Sequence, residues 1–139
     1  MPQHIKIGTW FEKDQQFVLL YVIHGRPLPN SVLALKSPGM EHHVYFWLKS
    51  DFQDDASRAS FESGIKTLCT SPFIGQHKWG KPAATADRPV TDHSWDYAIS
   101  LKFANMDDHD SYQEGDPIHD AFIAGFKDRW AKVQVMDIA

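Results

Sequence analysis

The sequence has little of what is typical of secreted, membrane-spanning or nucleic-acid-binding proteins. It contains one cysteine in 139 residues, Cys69, so no disulfide can form within the chain, which suits a reducing compartment. The longest apolar run, residues 17–23, is far shorter than the ~20 residues that cross a bilayer. The formal net charge is -4, and lysine and arginine form no cluster. We therefore predict a cytoplasmic protein that has neither a membrane nor a nucleic-acid partner.

Metal-binding motifs are also missing, although the chain has eight histidines. His42 and His43 are adjacent, so they point to opposite faces of a strand, and no pair has the His-x-x-x-His spacing. Asp107 and Asp108 fit the first turn of a helix, where acidic side chains interact favourably with the helix dipole. The sequence therefore predicts neither a metal ion nor another cofactor.

The composition indicates one domain with a short extension before it. With 42% apolar and 13% aromatic residues, a chain of this length can bury a single core. Residues 1–39 show no clear hydrophobic period and end at a Ser-Pro-Gly break. We predict a folded domain at residues 40–139, preceded by an N-terminal extension, residues 1–39, that is poorly ordered or results from an upstream start codon.

From residue 42 the hydrophobic patterns follow the order strand, helix, strand, strand, helix, strand. This split β-α-β repeat predicts an α+β fold, a ferredoxin-like βαββαβ antiparallel sheet with two helices on one face. The first strand, residues 42–49, is largely apolar on both faces. We expect Val44, Phe46 and Leu48 on the face without helices. Such an apolar face predicts a homodimer in which two sheets cover each other.

The residues around Gly115 indicate that one helix ends and another begins between a tyrosine and a histidine. Gly115 suits a left-handed helix cap, Asp116 can cap the next helix, and Pro117 fits its first turn. His119 would lie near a helix N-terminus, where unsatisfied amide groups oppose protonation of imidazole. Tyr112 could hydrogen-bond the same ligand. The alternative is a kinked helix in which both side chains only pack.

Several short segments, in this order and at these separations, resemble the stress-responsive A/B barrel (Dabb) family. They are the strand that opens at His43, Trp79-Gly80-Lys81-Pro82, Arg88-Pro89-Val90, Asp116-Pro117-Ile118-His119, and Trp130-Ala131-Lys132-Val133. The resemblance covers about residues 42–138. It implies a dimeric α/β barrel built from two ferredoxin-like subunits.

The resemblance also implies a set of catalytic residues. Plant polyketide cyclases of this family carry a tyrosine and a histidine at the positions of Tyr112 and His119, and a first-strand histidine at that of His43. They close a ring by an aldol reaction without metal or cofactor. The resemblance therefore implies that His119, Tyr112 and His43 are catalytic. Where the cyclase has a central-strand histidine and a pocket glycine, this chain has Tyr97 and Ile123, which predicts a smaller cavity.

We expect an aromatic chamber between the sheet and the helices, where a small aromatic or carbonyl-bearing metabolite would bind. The predicted substrate-binding residues are Tyr45, Trp47, Tyr97, Phe122 and Trp130. His119 would remove a proton at carbon while Tyr112 stabilises the enolate, as in a cofactor-independent lyase or cyclase. Two alternatives stay open: a non-catalytic stress or stability protein that acts as a dimer, and a cofactor-free monooxygenase-like enzyme. A ligand-sized cavity favours a binding function, whereas a closed core favours the stability protein.

Overall fold

A computed structural model of the protein describes residues 39–139 in full. Before them it describes only the backbone of five short strands, Glu12–Lys13, Gln16–Val18, Val22–Ile23, Arg26–Pro27 and Ala34–Leu35, which form a three-stranded and a two-stranded sheet. The chain divides into two compact units, residues 1–38 and 39–139. The expected disorder and origin of residues 1–39 lie outside the fully described residues, and the domain boundary stays a prediction.

Residues 39–139 form one antiparallel sheet with helices packed against it. The elements are β1 (Met40–Leu48), α1 (Asp55–Leu68), β2 (Gln76–Gly80), β3 (Tyr97–Phe103), α2 (Met106–Gln113), α3 (Pro117–Phe126) and β4 (Trp130–Ile138), with 3₁₀ turns at Ser50–Phe52 and Lys127–Arg129. The strand order is β2-β3-β1-β4, so β1 and β3 are central. The predicted ferredoxin-like α+β fold is confirmed. None of the helices among these residues combines the length and apolar character that crossing a bilayer requires.

The two faces of β1 are the reverse of the prediction. Val44, Phe46 and Leu48 are buried on the side of the sheet that the helices cover, whereas Tyr45 and Trp47 are half-buried on the outer face. The expectation that the first three would form the bare face is therefore wrong. Because both faces of this strand are largely apolar, side-chain polarity does not indicate which one meets the helices. A shift of one residue then exchanges the two sets.

The core beneath α1 and α3 is built mainly from aromatic rings. Phe61 of α1 is fully buried, with its ring centroid 5.3 Å from that of Phe46 in the sheet and 5.9 Å from that of Phe122 in α3. One turn later, Gly64 allows the helices to approach closely, since a Cβ there would overlap the ring of Phe126. The aromatic cluster therefore fixes how both helices lie on the sheet.

The connection between β2 and β3, residues 81–96, lies against the outer face of the sheet. The ring of Trp95 meets that of Tyr45 edge to face, with centroids 5.5 Å apart. The indole N–H of Trp47 donates a hydrogen bond to Ser94 Oγ, at 2.9 Å. The outer face is thus partly covered within a single chain.

Candidate functional site

A cavity of about 300 Å³ lies between the sheet and the helices. Its walls are mainly apolar and include Val44 and Phe46 of β1 and Phe122 of α3. The cavity opens along β4, where its lining residues Val133 and Val135 are exposed. A cavity at the lower end of the usual size range, with apolar walls and a few polar groups, is typical of a site for a small ligand.

The turn between α2 and α3 holds the Tyr/His pair in place. Gly115 has a φ of +105°, a conformation that glycine adopts without strain. The buried carboxylate of Asp116 accepts hydrogen bonds from the backbone N–H of Ile118, at 2.9 Å, and from Ser71 Oγ, at 2.5 Å. Pro117 occupies the first turn of α3. The predicted helix break and cap are present, and the Asp116 contacts anchor the start of α3 to the core.

Tyr112 and His119 are in contact across this turn. Their ring centroids are 4.5 Å apart, and the two residues are only 2% and 8% exposed. Burial lowers the pKa of the His119 imidazole, although the carboxylates of Asp120 and Asp116 act in the opposite direction. Burial also raises the pKa of the Tyr112 hydroxyl well above its ordinary value. At neutral pH, therefore, the imidazole is able to accept a proton and the phenol is able to donate a hydrogen bond.

Two polar atoms in the cavity lining have no hydrogen-bond partner among the described residues. They are Nδ1 of His119 and the indole nitrogen Nε1 of Trp130, and both are buried. A buried polar atom left unpaired costs about 1–3 kcal/mol. Because neither atom has accessible surface, a bound ligand would reach them only if the surrounding side chains moved.

The first strand contributes His42 to the cavity, and this residue was not among the predicted site residues. His42 is buried, and its Nδ1 lies 2.6 Å from Oδ1 of Asp137 on the neighbouring strand β4. Its ring centroid is 5.2 Å from that of His109 on α2. Burial lowers the pKa of His42 more than the Asp137 carboxylate raises it. The sequence places His42 in phase with Val44, but only the structure shows that this face of β1 meets the helices.

Three predicted site residues do not reach the cavity. His43, Tyr45 and Trp47 lie on the outer face of the sheet, where Nε2 of His43 is 2.9 Å from a carboxylate oxygen of Glu41. The expected convergence of these three with the Tyr/His pair is wrong, for the same reason as the face assignment of β1. The proposed catalytic role of His43 therefore loses its geometric basis.

The other predicted binding residues divide into two groups. Tyr97 is buried on the helix-covered side but does not line the cavity. Its hydroxyl donates a hydrogen bond to Glu62 Oε1 of α1, at 2.8 Å. Phe122 and Trp130 do line the cavity, with ring centroids 6.0 Å apart. Ile123 also lines the cavity. It stands where the cyclases that the sequence resembles have a pocket glycine, the difference from which a smaller cavity was predicted.

The sheet order and the helix-covered cavity define a ferredoxin-like α+β domain with a chamber of ligand size. The family model of the Stress Responsive A/B Barrel Domain (Dabb) matches residues 40–139, so the chain belongs to this family. No curated protein matches the sequence significantly.

Solved structures with the same fold have diverse descriptions. A dimeric ferredoxin-like protein of unknown function from Thermobifida fusca is 19% identical (TM-score 0.60; 77% of this chain and 95% of that one). A hydroxynitrile lyase from Passiflora edulis is also 19% identical (TM-score 0.60; 72% and 91%). A mutant of a cofactor-independent oxygenase from Streptomyces nogalater is 10% identical (TM-score 0.52; 73% and 91%). At such identities these likenesses show the fold alone.

Proposed function

We propose that the protein binds a small aromatic or carbonyl-bearing metabolite in the cavity and transfers a proton within it through His119 and Tyr112. The observation that carries this proposal is the contact of a buried imidazole with a buried phenol in the wall of a ligand-sized cavity. The proton transfer needs side chains only, which is the chemistry of a cofactor-independent lyase or cyclase.

In the proposed reaction, His119 acts as the base and Tyr112 as the hydrogen-bond donor, in accordance with their protonation states. His119, whose pKa is lowered, removes a proton from the carbon next to the carbonyl group. Tyr112, whose pKa is raised, stays protonated and donates a hydrogen bond to the enolate oxygen as charge develops there. Apolar walls such as Phe122 bind the aromatic part of the ligand and exclude water.

The structural neighbours share the fold and do not decide the reaction. One is a hydroxynitrile lyase and another a cofactor-independent oxygenase, so this fold accommodates both kinds of chemistry. In this chain, the protonation states of Tyr112 and His119 favour proton abstraction next to a carbonyl. Oxygen consumption with quinol-like substrates would instead indicate a monooxygenase-like enzyme.

Blocking the cavity mouth tests the proposed binding site. Val135 lines the opening and is 48% exposed, so Val135→Trp should obstruct entry without removing a core contact. We expect the affinity for an aryl methyl ketone, measured by isothermal titration calorimetry, to fall by about tenfold or more, which corresponds to at least ~1.4 kcal/mol. Thermal stability should change little, because surface substitutions typically alter the free energy of unfolding by less than about 0.5 kcal/mol.

The matched control for this experiment is Val90→Trp. Val90 is 85% exposed in the connection between β2 and β3 and does not line the cavity. This variant should bind the ketone as the wild-type protein does. Equal affinities of both variants and the wild type would show that the ligand binds elsewhere. A wild-type protein that binds no ketone, quinol or other small carbonyl compound would favour the non-catalytic stress or stability protein.

We further propose that two copies pair through the outer faces of their sheets. Tyr45 and Trp47 lie on this face, as does the exposed Met136, and the neighbour from Thermobifida fusca is dimeric. Sedimentation equilibrium at micromolar concentration should show a dimer, and Met136→Glu should shift it towards the monomer because it would bury a charge. Ala59→Glu is the control that should leave the dimer intact, because Ala59 is exposed on α1, on the helix-covered side of the sheet. A wild-type protein that sediments as a monomer would contradict the pairing.

Cys69 supports the proposal that the protein works in the cytoplasm. It is a free, buried thiol, and burial raises its pKa. A thiol with a raised pKa is poorly reactive, and a chain without a disulfide suits a reducing compartment.

A further inference from the structure

Three metal-ligating side chains meet at the cavity, although they are far apart in sequence. His42 comes from β1, His109 from α2 and Asp137 from β4, and all three line the cavity. One ligand atom of each lies within 4.8 Å of the others. We propose that His42, His109 and Asp137 bind a divalent first-row transition metal ion such as Zn²⁺, whose remaining coordination positions open into the cavity.

The donor set matches the chemistry of such an ion. Two imidazole nitrogens and one carboxylate oxygen form an open site when a water molecule or substrate completes the coordination. With metal–nitrogen distances of about 2.0–2.1 Å, tetrahedral ligand atoms lie about 3.3 Å apart. Small side-chain rotations bring atoms within 4.8 Å of one another to that separation. The mixed donor set does not suit Ca²⁺ or Mg²⁺, which prefer oxygen ligands.

Carboxylates next to the two histidines determine which ring nitrogen carries the proton and which has a lone pair for a metal ion. Nδ1 of His109 lies 3.0 Å from Oδ1 of Asp110, and a carboxylate that accepts the Nδ1–H leaves Nε2 with a free lone pair. His42 is buried, and its Nδ1 faces the carboxylate of Asp137. The 2.6 Å contact between His42 Nδ1 and Asp137 Oδ1 holds one proton. When the metal ion binds Nδ1 in place of that proton, the proton moves to Nε2, so the ring stays neutral.

This inference goes beyond the proposed function, because an ion at the cavity wall would bind there whether or not His119 transfers a proton. The ordinary alternative is that His42 and Asp137 only form a hydrogen bond that joins β1 to β4. In that case neither residue, nor His109, has affinity for metal ions. The two interpretations differ in a direct measurement of metal binding that involves no organic ligand.

Titration of the full chain, freed of metal with a chelator, tests the site with Zn²⁺ and with Co²⁺ as a spectroscopic probe. We expect one ion per chain to bind at micromolar or lower concentration. His109→Ala and Asp137→Asn should each weaken binding at least about tenfold, and Asp110→Asn, which removes the orienting carboxylate, by about 10- to 100-fold. The visible spectrum of bound Co²⁺ should report a site with nitrogen and oxygen ligands.

His77→Ala is the matched control, because His77 is exposed on β2 and does not line the cavity. This variant should bind both ions as the wild-type protein does. Asp137→Asn has the wild-type shape, and circular dichroism should confirm its fold, so that lost binding reports a lost ligand. Absence of Zn²⁺ and Co²⁺ binding, or equal binding by the wild type and the His109 and Asp137 variants, would overturn the proposal. Proton transfer by His119 is tested by a separate experiment that uses no metal ion, so failure of either proposal is distinguishable from failure of the other.

Discussion

We expect His119→Ala to lower the rate of deuterium uptake at the methyl group of a bound aryl methyl ketone by about 10²- to 10⁴-fold, the contribution typical of a general base. The imidazole is buried in the cavity wall beside Tyr112, and its lowered pKa keeps it unprotonated at neutral pH. Removing it leaves water as the base. Nuclear magnetic resonance in deuterium oxide follows the loss of the methyl signal directly.

Tyr112→Phe separates proton abstraction from stabilisation of the enolate. The ring and its packing stay, but the hydroxyl group that would donate to the enolate oxygen is lost, so we expect a decrease of about 10²- to 10³-fold. The control His77→Ala, on an exposed residue, should exchange at the wild-type rate. If His119→Ala and Tyr112→Phe both fold and exchange at the wild-type rate, the pair is structural.

The pH dependence of the exchange has a definite sign. The active form of the base is neutral imidazole, so the rate should be constant above the pKa of His119 and fall below it. Because burial lowers that pKa from an ordinary value near 6.5, exchange should persist at pH 6.5 and decline only in more acidic solution. Loss of exchange already above pH 7 would indicate a different base.

Local sequence chemistry was sufficient to predict the turn that carries the Tyr/His pair. Gly115, Asp116 and Pro117 each act through their own backbone or side-chain properties, and the structure shows the left-handed glycine and the capped helix at those positions. The order of strands and helices was predictable for a similar reason, since hydrophobic periods reflect the local geometry of each element. These features depend little on distant parts of the chain.

Features that depend on tertiary structure were harder to predict. The faces of β1 could not be assigned from the strand alone, because Tyr45 and Trp47 are as apolar as many core residues. The ligand set of His42, His109 and Asp137 has no short spacing, since its members come from three elements that only the folded sheet brings together. Sequence motifs for metal sites detect ligands that lie close together on one helix or loop. His42, His109 and Asp137 lie on three different elements, so no such motif includes them.

The second large effect is expected at the centre of the core. Phe61→Ala should lower the free energy of unfolding by about 3–5 kcal/mol, because it removes a fully buried ring and leaves a cavity. This ring lies within 6 Å, centroid to centroid, of four others from the sheet and α3, those of Phe46, Tyr97, Phe122 and Phe126. Such a loss is a large fraction of the roughly 5–15 kcal/mol that stabilises most domains.

Urea unfolding followed by circular dichroism measures this loss, and Phe52→Ala is the matched control. Phe52 lies in a 3₁₀ turn, is partly exposed and is not part of the buried core, so its removal should cost about 1 kcal/mol or less. Equal costs for the two variants would contradict the packing of α1 on the sheet.

Phe61 does not line the cavity but packs against Phe122, which does. Phe61→Leu, which keeps most of the buried volume, should therefore retain ketone binding while showing a smaller loss of stability.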